Sequence, residues 1–321
     1  MSRRNFIKAG IGAGLAAGQL SRRGYGASDE GVSPGFIPRR ELGRTGVTLP
    51  VIGFGGMVVK DATDAEAMER VSAALERGVD YFDVSPIYGN AQDRLGLALE
   101  GRRDRVFLAC KTNKRTKAEA AAELEESLRL LRTDHFDLYQ LHSMTTEADV
   151  ETAFGKDGAI ETFVEAREKG VVRFIGFSAH SDYAALACMD HFDFDTVLYP
   201  VNISLWENGF SPQVIERARN NGMGCLGLKA MALDRIPRGG TKRFPKCWYN
   251  PISEPEMIGL ALRFALSKGL SAAIPSGDEG LFALAMQSKD LLKPLDENET
   301  ASLKKRYEGL TPLFSRDRQT R

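Results

Sequence analysis

Residues 106–142 read VFLACKTNKRTKAEAAAELEESLRLLRTDHFDLYQLH, and this stretch decides the fold. It opens on an apolar run, Val106–Lys111, of the length and composition of a strand buried on both faces. Lys117–Leu131 then places Leu124, Leu128 and Leu131 on one side of a helix and glutamates on the other. A second apolar run, Phe136–His142, follows at once. Strand, amphipathic helix and strand with short joints make a βαβ unit, whose two strands must run parallel.

The same alternation extends in both directions. Apolar runs recur at Val51–Gly55, Tyr81–Ser85, Phe174–Ala179, Thr196–Asn202, Gly224–Met231 and Ser271–Pro275. Helical patterns lie between them at Ala65–Glu76, Glu161–Lys169, Gln213–Asn220 and Glu256–Ser267. Gly78, Gly170, Gly222 and Gly269 each follow a helical segment, where a left-handed C-cap is expected. Eight such strands, each followed by a helix, predict a (β/α)8 TIM barrel. A doubly wound open sheet would want a glycine-rich phosphate loop after its first strand; Gly53-Phe54-Gly55-Gly56-Met57 is not G-x-G-x-x-G. Glu41–Leu49 reads as an N-terminal β-hairpin and Asn298–Leu310 as a C-terminal capping helix. Ala232–Pro255 is a long connection holding Cys247, Trp248 and Tyr249, and long loops on compact barrels are commonly lids or binding loops.

Composition narrows the function classes. The 321 residues carry 43 basic and 43 acidic side chains, so no global field draws the chain to nucleic acid. The roughly 20 unbroken apolar residues of a membrane span are absent. Cys110, Cys188, Cys225 and Cys247 form no C-x-x-C pair and read as separate thiols. Ser2-Arg3-Arg4-Asn5-Phe6-Ile7-Lys8 resembles the twin-arginine export motif, and a Gly/Ala-rich apolar stretch and small residues follow it. Residues 1–27 are therefore expected to be a signal peptide and residues 28–321 the barrel. The partner implied is the twin-arginine export machinery, and the destination periplasmic or otherwise outside the cytoplasm. A cytoplasmic enzyme with a basic N-terminus is the alternative.

Parallel barrels carry their chemistry at the C-terminal ends of the strands. The second strand ends in Asp83, with Tyr88 in the loop beyond; the third ends in Lys111, the fourth in His142 and the fifth in Ser178. Neighbouring strands lie about 4.8 Å apart, so an acid, a phenol, an ammonium and an imidazole can meet in one pocket.

Asp83-Val84-Ser85-Pro86-Ile87-Tyr88-Gly89, Lys111-Thr112, Gln140-Leu141-His142 and Gly176-Phe177-Ser178 resemble the successive motifs of the aldo-keto reductases, and Gly53-Phe54-Gly55-Gly56 fits as well. The resemblance covers roughly residues 40–290. It implies Asp83, Tyr88, Lys111 and His142 as a catalytic tetrad, a nicotinamide cofactor (NAD or NADP), and a small-molecule carbonyl or alcohol substrate such as an aldehyde, ketone or sugar. In that scheme Tyr88 exchanges the proton, Lys111 favours its phenolate, Asp83 holds Lys111, and His142 orients the substrate oxygen. Implied contacts to the cofactor fall on Gly56, Met57, Asp83, Ser178, Asn202, Lys229, Ser276 and Gly277.

The chain departs from the family at several of these places. Ser178-Ala179 stands where relatives have Ser-Asn, Leu198 where they have a glutamine, and Lys229-Ala230-Met231 replaces a commoner aromatic or serine pattern. Ser276 and Phe282 occupy positions of the basic residues that pair with the 2′-phosphate of NADP; Met286 stands where an adenine-contacting asparagine is usual, and Asp278 and Glu279 would repel a phosphate. NAD is thus weakly favoured. Two other readings use the same fold: a dinucleotide-binding regulatory protein, and a lyase or isomerase that uses bound NAD transiently.

Overall fold

The computed structural model describes residues 36–315; the expected leader, residues 1–27, lies outside them. The described chain begins with a small hairpin, β1 (Arg39–Glu41) and β2 (Thr48–Pro50). The barrel strands follow as β3 (Phe54–Gly55), β4 (Tyr81–Asp83), β5 (Phe107–Thr112), β6 (Phe136–Met144), β7 (Val172–Ala179), β8 (Thr196–Pro200) and β9 (Gly224–Leu228). A second hairpin, β10 (Ala232–Arg235) with β11 (Tyr249–Pro251), precedes the last barrel strand, β12 (Ala272–Ile274). The helices are α1 (Asp64–Glu76), α2 (Ala91–Leu99), α3 (Lys117–Leu130), α4 (Glu147–Phe154), α5 (Ala159–Glu168), α6 (Asp182–His191), α7 (Ile203–Glu207), α8 (Pro212–Asn220), α9 (Pro255–Ser267), α10 (Glu279–Met286) and α11 (Glu297–Lys305).

The eight barrel strands pair in parallel in the order β12-β9-β8-β7-β6-β5-β4-β3. A bridge between Ile52 and Ala273 closes the ring, with Gly53 N–H and Ala273 N–H donating at 2.9 Å each to the carbonyls of Ala273 and Val51. The fold is the expected (β/α)8 barrel. Its interior is filled by Tyr81, Phe107, Ala109, Leu138, Leu198 and Leu226. Leu42, Val47 and Leu49 of the first hairpin join that cluster, so the hairpin plugs the N-terminal end and leaves the opposite end for chemistry. Gly43, with φ +52°, is needed there: a Cβ would run into the Met223–Gly224 backbone. Phe54, Phe82, Leu108, Tyr139, Phe177 and Val197 point outward into the larger core beneath the helices.

The four C-cap glycines take the left-handed conformation, with φ of 78°, 74°, 71° and 88° at Gly78, Gly170, Gly222 and Gly269. Lys229, read as part of the seventh barrel strand, lies just beyond it; β9 ends at Leu228 and Lys229 has φ +65°. Tyr249 and Pro251 fold the long connection back on Arg235 and Ala232. Arg263 of α9 grips Glu299 of α11 at 2.6 Å, and Tyr307 Oη donates to Ala232 O at 3.1 Å, fixing the C-terminal region to that connection. All four cysteines are free and buried. No described helix is long and apolar enough to cross a membrane.

Candidate active site

A cavity of about 350 Å³ opens at the C-terminal ends of the strands. The register explains its composition: β4 pairs Asp83 with Ala109, and β5 pairs Lys111 with Gln140. Lys111 therefore stands one pleat above the Asp83 row, and its ammonium reaches across to hydrogen-bond Asp83 Oδ1. Gln140 Nε2 donates to the other carboxylate oxygen, Oδ2, at 2.9 Å. The Lys111 ammonium lies 5.5 Å from the centre of the Tyr88 ring. The Tyr88 and His142 rings meet edge to face, 6.0 Å between centres. Asp83, Tyr88, Lys111 and His142 all line the cavity.

Electrostatics divides these groups by role. Burial works against the Lys111 ammonium, but the Asp83 carboxylate and Tyr88 outweigh it, and the net shift is upward, keeping the charge. Burial also dominates at Tyr88 and raises its pKa; the Lys111 charge opposes this and the Asp83 charge reinforces it. The expected lowering of the phenol by Lys111 is thus present but outweighed, by burial first and by the Asp83 charge in addition. His142 is pushed well below the ordinary imidazole value by burial first and by the Lys111 charge next. Its imidazole is neutral at pH 7, and Nδ1 lies 2.9 Å from Ser85 Oγ.

The residues expected to hold a cofactor divide in two. Met57, Asp83, Ser178, Lys229 and Gly277 line the cavity. Gly56, Asn202 and Ser276 do not. A Cβ on Gly56 would enter the Val84 side chain, so the position requires glycine for close packing. Both amide hydrogens of Asn202 are taken: Nδ2 donates to Lys229 O and Ala232 O at 3.2 Å each, while Oδ1 accepts from Leu205 N–H at 2.9 Å. Ser276 Oγ lies 3.0 Å from Tyr249 Oη. The donor set suits the nicotinamide end of a dinucleotide: Ser178 Oγ accepts from Ser143 N–H at 2.8 Å, which leaves its own hydrogen to donate to a carboxamide. At the mouth, Asp278 already accepts from Gly280 and Leu281 N–H at 3.0 and 3.1 Å, capping α10. Glu279 pairs with Lys246 at 2.7 Å and Arg70 at 3.3 Å, and Lys246 also donates to Val58 O at 3.2 Å, pinning the long connection across the cavity edge.

Sequence reasoning missed four members of the site. Gln140 and Ser85 were quoted within motifs but given no role. Their alternation with Leu141 and Val84 was the available signal, since it turns them inward. His180 lines the cavity, its Nδ1 3.0 Å from Ser143 Oγ. Lys246 reaches the cavity only through the course of the long connection, which no periodicity records.

A closed parallel barrel with an ionised pair, a phenol and a neutral imidazole at its open end defines a class of enzyme scaffold. The comparisons agree. The model of the Aldo/keto reductase family matches residues 51–247, and the chain belongs to that family. It is 30% identical over 212 residues to "Aldo-keto reductase YhdN" of Bacillus subtilis (strain 168), covering 57% of this chain and 61% of that one. The chain spans about half to two thirds of the length of such curated relatives. Among solved structures, it is similar to aldo-keto reductase AKR11C1 from Bacillus halodurans (holo form), with TM-score 0.66 and 21% identity, over 87% of this chain and 99% of that one. It also resembles the Bombyx mori aldo-keto reductase AKR2E4 in complex with NADP, with TM-score 0.62 and 19% identity, over 84% and 93% of the two chains.

Proposed function

We propose that this chain is an NAD(P)-dependent oxidoreductase that interconverts a small carbonyl compound and its alcohol. One observation carries the reading: the buried Asp83–Lys111 pair, the Tyr88 phenol and the neutral His142 converge on one cavity. The bound nicotinamide supplies or accepts the hydride. The chain supplies the rest. Tyr88, held as a phenol by burial, has a proton to give to the substrate oxygen, and the Lys111 charge stabilises the phenolate that remains. Ser85 fixes the His142 ring through Nδ1, so Nε2 can donate to the same oxygen when Nδ1 accepts the serine proton. Asp83 and Gln140 fix the Lys111 ammonium. Family membership supports the same reading. Tyr88→Phe tests it: kcat should fall by roughly 10²–10⁴-fold while dinucleotide affinity is kept. A variant keeping more than half its activity would remove Tyr88 from the mechanism.

We also propose that the chain is exported folded through the twin-arginine route, a reading supported by Arg3-Arg4 and the apolar stretch behind them. Changing both arginines to lysine should leave the protein in the cytoplasm; export at the wild-type level would refute the route.

A further inference from the structure

The cavity holds a charge that the scheme above does not use. Lys229 has φ +65°, a conformation strained for a residue with a side chain. Three hydrogen bonds hold the turn there: Asn202 Nδ2 to Lys229 O and Ala232 O at 3.2 Å, and Ala232 N–H to Lys229 O at 3.0 Å. The turn aims the ammonium across the faces of Tyr249 and Trp248, 4.6 and 5.1 Å from their ring centres. Aromatic faces hold a cation without neutralising it. Among the described residues no carboxylate lies within ion-pair distance of Lys229. The single carboxylate in the cavity lining, Asp83, is already taken by Lys111 and Gln140. Burial brings the Lys229 ammonium down to about 8, as expected of a cation without a counter-ion.

Its neighbours place this charge beside the reacting centre. The Lys229 charge acts on both His142 and His180, disfavouring their protonation. His180 stacks on Phe314 with 5.1 Å between centres, and Phe314 meets Trp248 at 6.1 Å. Lys229, Trp248, Phe314 and His180 thus form one chain of contacts, and Lys229, Trp248 and His180 line the cavity together with His142. With Nδ1 of His180 accepting from Ser143, Nε2 is a second donor there.

We propose that Lys229 and His180 form a receptor for an anionic oxygen group of the substrate, so that the carbonyl compounds favoured here are oxo acids. The inference rests on the oxidoreductase reading. A carboxylate would accept from the Lys229 ammonium and the His180 imidazole while the carbonyl oxygen faces Tyr88 and His142. A dinucleotide pyrophosphate has the same chemistry, but Lys229 lines one cavity with Tyr88, Lys111 and His142, which puts its charge at the reacting end.

The test compares each oxo acid with its uncharged methyl ester: 4-oxobutanoate against methyl 4-oxobutanoate, and 2-carboxybenzaldehyde against methyl 2-formylbenzoate. Wild-type protein should prefer the carboxylate in kcat/KM by at least about tenfold, and Lys229→Met should cut that preference by about 10–100-fold, the range of one charge-assisted hydrogen bond. Dinucleotide Kd, read by calorimetry, should move less than about twofold on the scale where tenfold is one charge contact. His180→Gln should lower the same preference by a smaller factor, and circular dichroism checks that both variants fold. Equal losses on charged and neutral members together with weakened dinucleotide binding would overturn the proposal and give Lys229 to the cofactor. A wild type without preference would overturn it as well. A wild type that binds dinucleotide yet reduces neither member of either pair would instead sink the oxidoreductase reading, and this inference with it.

Discussion

Changing Lys111 to methionine keeps most of the side chain's volume and deletes its charge. The Lys111 and Asp83 side chains are only 1% and 3% exposed. In the variant Asp83 keeps the 2.9 Å bond from Gln140 and little else to offset a buried negative charge. Removing one partner of such a pair costs about 3–5 kcal/mol, because the remaining charge is left without compensation. At roughly 2–4 °C per kcal/mol for a chain approaching this size, the melting temperature should drop by about 6–20 °C. Differential scanning calorimetry at pH 7 reads this directly. Adding Asp83→Asn removes the orphaned charge, so the double variant should recover about half of the loss or more, and the two substitutions should be strongly non-additive. A Lys111→Met protein melting within about 2 °C of wild type would refute the argument, as that is less than the effect of one kcal/mol. So would a double variant whose loss is the plain sum of the singles.

Two further outcomes follow from the charges around the cavity. His142 lies well below the ordinary imidazole value and His180 is brought down to about 3, in both cases by burial first. The unfolded chain therefore takes up these protons before the folded one, and the stability due to their neutral burial is complete above about pH 6.5 and drains on acidification. Each histidine contributes up to about 1.4 kcal/mol per pH unit in that window; His180→Gln should flatten the fall in melting temperature between pH 6 and pH 4, and an unchanged slope would show that His180 already titrates normally. At the mouth, calorimetric titration should find NAD bound at least as tightly as NADP, and Glu279→Gln, by releasing Arg70 and Lys246, should shift the balance towards NADP; clear NADP preference in the wild-type protein would defeat this.

What could be read before the structure follows from where each signal is stored. The barrel is written in local periodicity: continuous apolar runs for strands buried on both faces, a one-sided stripe in α3, and glycine at helix ends. Several of the segments that escaped lack such periodicity. α6 carries Ala184, Ala185, Cys188 and Met189 buried with no clear polar alternation, and α10 begins only five residues beyond β12. The hairpin of β10 and β11 pairs strands across an irregular register. Asn202 shows the limit at the site itself. A residue type and position suited to a cofactor amide also caps α7 and braces a turn, because the backbone groups of Leu205, Lys229 and Ala232 lie within its reach. Only three-dimensional proximity records those contacts.

Tyr88 shows why the arrangement matters beyond the list of residues. Residue types alone set a phenol beside an ammonium and suggest a lowered pKa. The structure adds that the ammonium is held by Asp83 and that burial acts on the phenol more strongly, so the net shift is upward. A raised value leaves the phenol protonated at rest but makes it a weaker acid, so the cost of forming its phenolate has to be lowered as the proton leaves. In the proposed reaction the Lys111 charge would take effect as negative charge develops on Tyr88 during transfer, because the attraction is then felt in a water-poor site. The ammonium thus stabilises the transferring state more than the resting one. The asymmetry arises because Tyr88 would carry charge only during transfer; Asp83, itself held by Gln140, keeps the ammonium in place for it. In the proposed mechanism this gives a positioning role to Gln140, a residue to which the motif reading gave none.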